Sequence, residues 1–445
     1  MRAKAYHSRR MRENAPAPQG EGRPRFFYGY VVVFGAWLAM FVTGGAQFSF
    51  SIFLPSLLED FGGTRGMLSL GFTLNMVLVP VIGLLGGYLV ERIGPARTVV
   101  IGAIIGGSGV ALVSTVSQIW QFILLYGLLV PAGIGLSYII VTVSTVRRWF
   151  MRKAGGMVAL AMSGSGLGIV FLVIAANAMI ESWGWRTSYL ALGVILLVGA
   201  VMGGLLLKKD PESVGTYPDG VKPTEEELKS RADFMARNEK WSVREAFKSS
   251  SWWLFIGAQL GSEVALLGFL VHLIVWGSLD LGIPRGTMVL IYSYGFVLAA
   301  VLGRLFGGFI SDWYMARFGI SRKPILYLAT LGVGLGAFLC LGVGGVSGIV
   351  LVSLLLGFCY GSGLAVFPTY LGDLFGVRNV SVLYGAAGLF VGVIGAAGPV
   401  FFGFSYDATG SYNLAFMVTG VVCLISALCL VRLNPPRRRE AGAVD

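Results

Sequence analysis

Twelve long apolar runs divide this chain, and they constrain its fold more than any other feature. Their approximate limits are 27–57, 67–90, 98–116, 119–146, 154–180, 187–207, 251–277, 287–311, 324–342, 346–370, 380–404 and 412–432. A bilayer crossing needs ~20 apolar residues, so 445 residues accommodate twelve crossings with short connections. Charged residues are only 13% of the chain, against an ordinary ~25%. A disordered or nucleic-acid-binding chain carries more charge, so a pI near 9.6 does not indicate a nucleic-acid partner. Hydrophobic residues reach 56%, more than a soluble enzyme of this length needs.

One long polar segment, 208–250, interrupts the series and splits the spans six and six. The expected organisation is a basic N-terminal segment, 1–26, a six-helix bundle, 27–207, a cytoplasmic loop, 208–250, a second bundle, 251–432, and a tail, 433–445. Residues 1–25 lack an apolar run followed by a small-residue cleavage site, so no cleaved signal peptide is expected. Within the loop, Thr224 and Glu227 fit a capping box that opens a short surface helix. Trp241 is expected to anchor that loop at the membrane interface.

Basic residues give the orientation. With both termini in the cytoplasm, 30 of the 34 Lys and Arg residues fall on cytoplasmic segments, and Arg65, Arg186 and Arg285 fall outside. One more, Arg304, lies inside the eighth run. The net charge of +12 thus reports topology rather than a binding partner. The four cysteines, Cys340, Cys359, Cys423 and Cys429, all lie in apolar runs and read as small buried hydrophobes.

Two cytoplasmic loops echo each other. After the second run come Gly87, Glu91, Arg92, Gly94 and Arg97; after the eighth come Gly308, Asp312, Arg317 and Gly319, then Arg322 and Lys323. A glycine four residues before an acid, then a turn glycine and basic residues, at equivalent places in each half, indicates two related halves. The acid suits the next helix N-terminus, and the arginines suit acids across the cytoplasmic face. Such pairs latch one end of a bundle; the plainer alternative is topological charge alone.

At this point the chain resembles the major facilitator superfamily over about residues 29–432. Within it, the run Gly133-Ile-Gly-Leu, Arg147-Arg148-Trp149-Phe150, Arg152-Lys153-Ala154-Gly155-Gly156 and the segment from Ala161 to Gly168 is similar to the monocarboxylate transporter and oxalate:formate antiporter group. So are Gly184-Trp185-Arg186, Asp210-Pro211-Glu212, Val271-His272-Leu273 and Asp280-Leu281-Gly282. The resemblance implies an all-α membrane protein of twelve helices in two pseudo-symmetric six-helix bundles, binding its substrate at the midplane by alternating access. It also places Arg304 where that group holds its substrate arginine. The chain departs from the pattern elsewhere. Ala300 stands where the animal transporters have Asp, residues 29–57 contain no lysine, and 380–404 contain no Lys or Arg where oxalate carriers have a second cation.

An ionisable side chain in the hydrocarbon core is expensive and marks function by default. Arg304 lies ~8 residues, ~12 Å, from Asp312 along the helix. Its planar guanidinium matches a carboxylate with two parallel hydrogen bonds, and a structural pair with Glu263 is the alternative. Glu263 lies ~18 Å from the cytoplasmic end of its run. It is a candidate proton carrier, or a glutamate hydrogen-bonded across helices. His272, nearer the outer end, is a second proton-coupling candidate. Hydroxyl and amide groups that suit a small hydroxy acid are Gln47, Asn75, Tyr138, Tyr292 and Tyr360, with Ser49, Tyr294 and Tyr370 also in the spans. Each of these also serves as interhelical glue. Gly164, Gly166 and Gly168 lie in an apolar run rather than after a strand, which points to helix packing, not a nucleotide loop. No metal-ligand spacing is present.

The expected function is secondary transport of a small monocarboxylate, lactate- or pyruvate-like, with proton symport favoured by the resemblance. Anion exchange and a non-transporting membrane sensor are the alternatives. The expected partners are the substrate, protons and the lipid bilayer of a cell membrane. No nucleic acid, cofactor, metal or enzymatic activity is expected, and the protein is expected to be monomeric.

Overall fold

The structure, a computed structural model, describes residues 27–151, 153–226, 241–318, 321–376 and 380–436, without the side chains of Asp312, Ala316 and Ser381. The described residues are helical with short turns. The spans are α1 (Gly29–Phe61), α2 (Arg65–Ile93), α3 (Pro95–Thr115) and α4 (Ile119–Trp149). A 52-residue helix follows, Ala154–Leu205, far longer than one crossing. It is two spans, α5 (154–183) and α6 (185–205), joined at Gly184, whose φ of +75° and ψ of 166° turn the chain back. The second half holds α7 (Ser250–Asp280), α8 (Arg285–Met315), α9 (Lys323–Gly342), α10 (Gly345–Phe375), α11 (Val382–Thr409) and α12 (Asn413–Arg432). Among the described residues, twelve helices are therefore long and apolar enough to cross a membrane, in two sets of six.

Glycines set how closely these helices pack. A Cβ on Gly164 or Gly168 of α5 would run into the carbonyl oxygens of Trp37 or Phe41 on α1. The Gly-rich stretch there is thus a helix–helix seam, as its apolar setting implies. The same device joins α8 to α10, where Gly303, Gly307, Gly357 and Gly361 meet backbone of the facing helix. In the cytoplasmic repeat the close-packing glycines are Gly86, 2.8 Å by its Cβ from Val141, and Gly307, 2.6 Å from Ser362. Their neighbours Gly87 and Gly308, singled out from the sequence, have only ordinary contacts at 3.6 and 3.9 Å.

Among the described residues the halves meet most extensively where α1 packs on α7, α2 on α11 and α5 on α8. The hydrogen bonds between described residues that cross from half to half gather at the outer end. Thr73 Oγ1 donates to the Ala396 carbonyl at 2.8 Å, Ser69 meets His272 at 3.1 Å, and Arg65 and Arg285 each reach the opposite half. At the inner end, the ion pairs between described residues stay within a half. Glu91 pairs with Arg148, and with Lys209 at 3.5 Å, all in the first half. Arg322 pairs with Asp373 at 2.7 Å, both in the second. This is an outward-closed arrangement.

In the polar loop, residues 225 and 226, directly after Thr224, are helical. The expected capping box includes Glu227, which lies outside the described residues. A capping box is present further on: Glu245 N–H donates to Ser242 Oγ at 3.2 Å, and Ser242 N–H donates to Glu245 Oε2 at 2.7 Å. It opens a short helix, Val243–Phe247. Trp241 is not a lipid-interface anchor. It is buried, edge-on to Phe375 at 5.4 Å, in an aromatic cluster with Trp252 that ties the loop to α10 and α7.

Candidate functional site

Arg304 sits on α8 one turn beyond Val301, which touches Gly166 of α5. Residues three apart share a helix face, so Arg304 looks toward the first half. It lies within electrostatic reach of Tyr138 on α4, Tyr360 on α10 and Tyr384 on α11. The side chain is exposed to this space. Among the described residues it makes no hydrogen bond or ion pair. A guanidinium carries five N–H donors and no acceptor, so Arg304 offers a whole fork to an anion.

Tyrosines from both halves surround it. The Tyr138 hydroxyl hydrogen-bonds Ser165 of α5. Tyr138 itself breaks the helical path of α4, with φ −105° and ψ −143°. Gly44 makes room for the pair, since a Cβ there would lie 2.6 Å from Ser165 Oγ. In the second half Tyr360 donates its hydroxyl to Glu263 Oε1 at 3.2 Å. Glu263, half-buried on α7, makes no ion pair with Arg304. The alternative of a structural Arg–Glu pair is therefore absent here. Tyr384 lies within electrostatic reach of both Glu263 and Arg304, and the sequence reading missed it. The one available signal was an unexplained tyrosine in a Gly/Ala-rich span.

Gln47 and Asn75 lie deeper in the first half. Gln47 Nε2 donates to Asn75 Oδ1 at 3.1 Å, and Asn75 Nδ2 donates to the Tyr126 carbonyl at 2.9 Å. Tyr126 closes the ring by donating to the Gln47 carbonyl at 2.8 Å. Asn75 is fully buried with both ends of its amide used, so it ties α1, α2 and α4 together. Gln47 keeps an unpaired Oε1. With Phe48, Met76, Val79, Gly83 and Tyr138 it lines a cavity of about 300 Å³. Tyr292 is fully buried, beside Ser51 of α1 and within electrostatic reach of Tyr126. It stands away from the group around Arg304.

His272 is not in that group either. Its Nε2 lies 2.9 Å from the Pro399 carbonyl and 3.1 Å from Ser69 Oγ, and its Nδ1 lies 2.8 Å from the Tyr412 hydroxyl. A carbonyl only accepts, so Nε2 carries the hydrogen and Nδ1 accepts from Tyr412. Both ring nitrogens are committed to the outer contact between halves.

Of the cytoplasmic set, Glu91 bonds Arg148 and Lys209, as described, and Arg92 lies 4.6 Å over the Tyr88 ring. Gly94, with φ +85°, turns the chain into α3. Arg97 and Arg317 are exposed. The side chain of Asp312 lies outside the described residues.

The profile of the Major Facilitator Superfamily matches residues 36–320 and 313–444 of this chain. The chain belongs to that superfamily. Curated relatives agree. Monocarboxylate transporter 12 of Rattus norvegicus is 23% identical over 423 residues, covering 91% of this chain and 85% of that protein. The oxalate:formate antiporter of Oxalobacter formigenes is 22% identical over 426 residues, covering 93% and 92%. Among solved structures, a bacterial homologue of the human lysosomal transporter Spinster, inward-facing and unoccupied, superimposes with a TM-score of 0.72 at 14% identity, covering 91% of this chain and 97% of that one. This likeness confirms the twelve-helix fold. The protein is a multi-pass membrane protein of a transporter superfamily. Arg304 and its tyrosines lie where the two six-helix halves meet.

Proposed function

We propose that the protein is a secondary transporter of small monocarboxylates, working by alternating access. One observation carries the reading: an unpaired arginine inside the membrane, facing hydroxyl donors from both halves. A carboxylate held by the Arg304 fork satisfies a charge that is otherwise costly at this depth. Tyr138 and Tyr360 bind the remaining polar atoms of a lactate- or pyruvate-like acid. Binding between the halves couples substrate to their rocking motion. The printed names of relatives, monocarboxylate transporters and an oxalate:formate antiporter, support an organic-anion cargo. A single cation in the site suits a monoanion rather than a dianion.

In this reading Glu263 carries the coupled proton. Tyr360 links it to the arginine's surroundings, so arrival of the anion is felt at the carboxyl. His272, committed to the outer contact, is the less suited of the two candidates. One observation favours exchange instead of symport. Arg304 has no acid partner when empty, and an uncompensated cation resists the return step without substrate. Preloading vesicles with unlabelled substrate separates the two: exchange requires it, whereas symport proceeds under a proton gradient alone.

The direct test of the cargo is ligand-dependent thermal stabilisation of purified protein, since a ligand that binds the native state raises its stability. Short monocarboxylates are expected to raise Tm, with dicarboxylates weaker and Arg304→Ala abolishing the shift. A panel of monocarboxylates that leaves Tm unchanged rejects the reading.

A further inference from the structure

The outer ends of α1–α2 and α7–α8 carry the same seven-residue pattern. Asp60, Gly62, Arg65 and Gly66 recur as Asp280, Gly282, Arg285 and Gly286, every position offset by 220. The backbone repeats too, since Gly62 and Gly282 both turn with positive φ, +58° and +66°. Each arginine opens the second span of its half and each reaches into the opposite half.

The two reaches differ in strength. Arg65 grips Asp280 with both terminal nitrogens, at 2.7 and 3.1 Å, so the arginine of one copy holds the acid of the other. The same guanidinium lies 3.5 Å over the Tyr406 ring and donates to the Tyr412 hydroxyl at 2.9 Å. Tyr406 in turn donates to Asp280 at 2.6 Å, and Tyr412 bonds His272. The backbone of α2 is held from across the interface as well. Asp407 of α11 accepts from Arg65 N–H at 3.0 Å and Gly66 N–H at 2.8 Å, so a residue of one half caps a helix of the other. The cap requires close approach, and a Cβ on Gly403 would lie 2.6 Å from Gly66. The mirror-image reach is looser: Arg285 meets the Ser56 hydroxyl at 3.2 Å and the Ile52 carbonyl. Asp60, the acid that symmetry would give it, pairs instead with Arg186 of its own half at 2.6 Å.

We propose that this repeated segment is the outer gate, with the Arg65–Asp280 pair and the Asp407 cap as its bolt. Opening the outer face separates α2 from α7 and α11, and every one of these bonds breaks in that step. The pair is suited to breaking and reforming. Arg65 is 9% and Asp280 21% exposed, so water reaches the pair as it parts. No strong bond of comparable kind joins the halves at the inner end between described residues. The bolt biases the balance between the two faces, independently of what is carried.

Hydrogen–deuterium exchange of the full-length protein in nanodiscs tests this. Asp280→Asn, Asp407→Asn and Arg65→Gln are each expected to speed exchange at residues 60–70 and 404–414 by about tenfold, the factor that ~1.4 kcal/mol gives. Residues 145–155 at the inner end are expected to gain protection, as the halves rock the other way. A purely structural role loosens both ends together, and that result overturns the proposal. So does unchanged exchange in Asp280→Asn and Asp407→Asn. The Arg65→Gln/Asp280→Asn double variant should shift no further than Arg65→Gln alone, which already loses the pair, and additive shifts reject the pairing. Arg186→Gln, which breaks a bond within one half, is expected to leave the balance unchanged; an equal shift there also overturns it.

Discussion

At the residue scale, the account rests on Arg304 having no partner among the described residues. Replacing it with lysine keeps the charge and loses the two-pronged grip. Charge-assisted hydrogen bonds are worth ~1.5–3 kcal/mol each, so Arg304→Lys is expected to weaken substrate affinity about tenfold or more, measured from the concentration dependence of uptake. Glu263→Gln separates chemistry from binding. It is expected to abolish acceleration of uptake by an inward proton gradient while leaving exchange of labelled for unlabelled substrate intact. Gradient-driven uptake unchanged in Glu263→Gln removes Glu263 from the proton route. The sequence exposed Arg304 because charge accounting left one cation inside an apolar run. It did not expose Tyr384, since a tyrosine in a membrane span is ordinary and only proximity to Arg304 and Glu263 distinguishes it. Asn75 and His272 show the converse. In sequence Asn75 reads as a substrate contact and His272 as a proton carrier, yet the structure occupies their polar groups with Gln47, Tyr126, Pro399 and Tyr412.

At the scale of the elements, glycine seams place the site. Ala300 and Gly303 of α8 pack against Gly361 and Phe358 of α10, one turn or less from Arg304. A methyl at Gly361 would collide with the Ala300 carbonyl. Gly361→Ala is thus expected to cost ~1–3 kcal/mol by overpacking and to displace Arg304, lowering both Tm and transport. The same seam bears on Ala300 itself, whose backbone faces Gly361 at close range. A second element-scale prediction concerns Gly184. Its φ of +75° with extended ψ joins α5 to α6, a region that residues with a Cβ rarely adopt. Gly184→Ala is expected to lower Tm without changing substrate affinity in the protein that remains folded. The helix count was legible in the apolar runs, and the turn near 181–186 was too. What periodicity did not show is that this turn is one residue long, because a single backbone angle does the work of a loop. In the cytoplasmic loop the sequence pattern S/T-x-x-E occurs twice, at Thr224 and at Ser242. The first is followed by helical residues 225 and 226, and only packing shows that the helix opened by the second lies against buried Trp241.

At the scale of the whole molecule, two six-helix halves meet along α1–α7, α2–α11 and α5–α8, joined at their outer ends and facing each other around Arg304. That is the arrangement a rocking carrier requires. The repeat at 60–66 and 280–286 ties sequence symmetry to this contact, and its signal was present in the chain. It escaped notice because neither copy looks unusual alone; their meaning lies in Arg65 crossing to Asp280. The measurement that bears most directly on the whole account is counterflow in proteoliposomes. Vesicles loaded with an unlabelled short monocarboxylate are expected to accumulate the labelled acid transiently with wild-type protein. Arg304→Lys is expected to require about tenfold more substrate for the same rate, and Arg304→Ala to show no accumulation. If no member of a panel of labelled monocarboxylates exchanges, or if Arg304→Ala exchanges as well as wild type, the account is wrong.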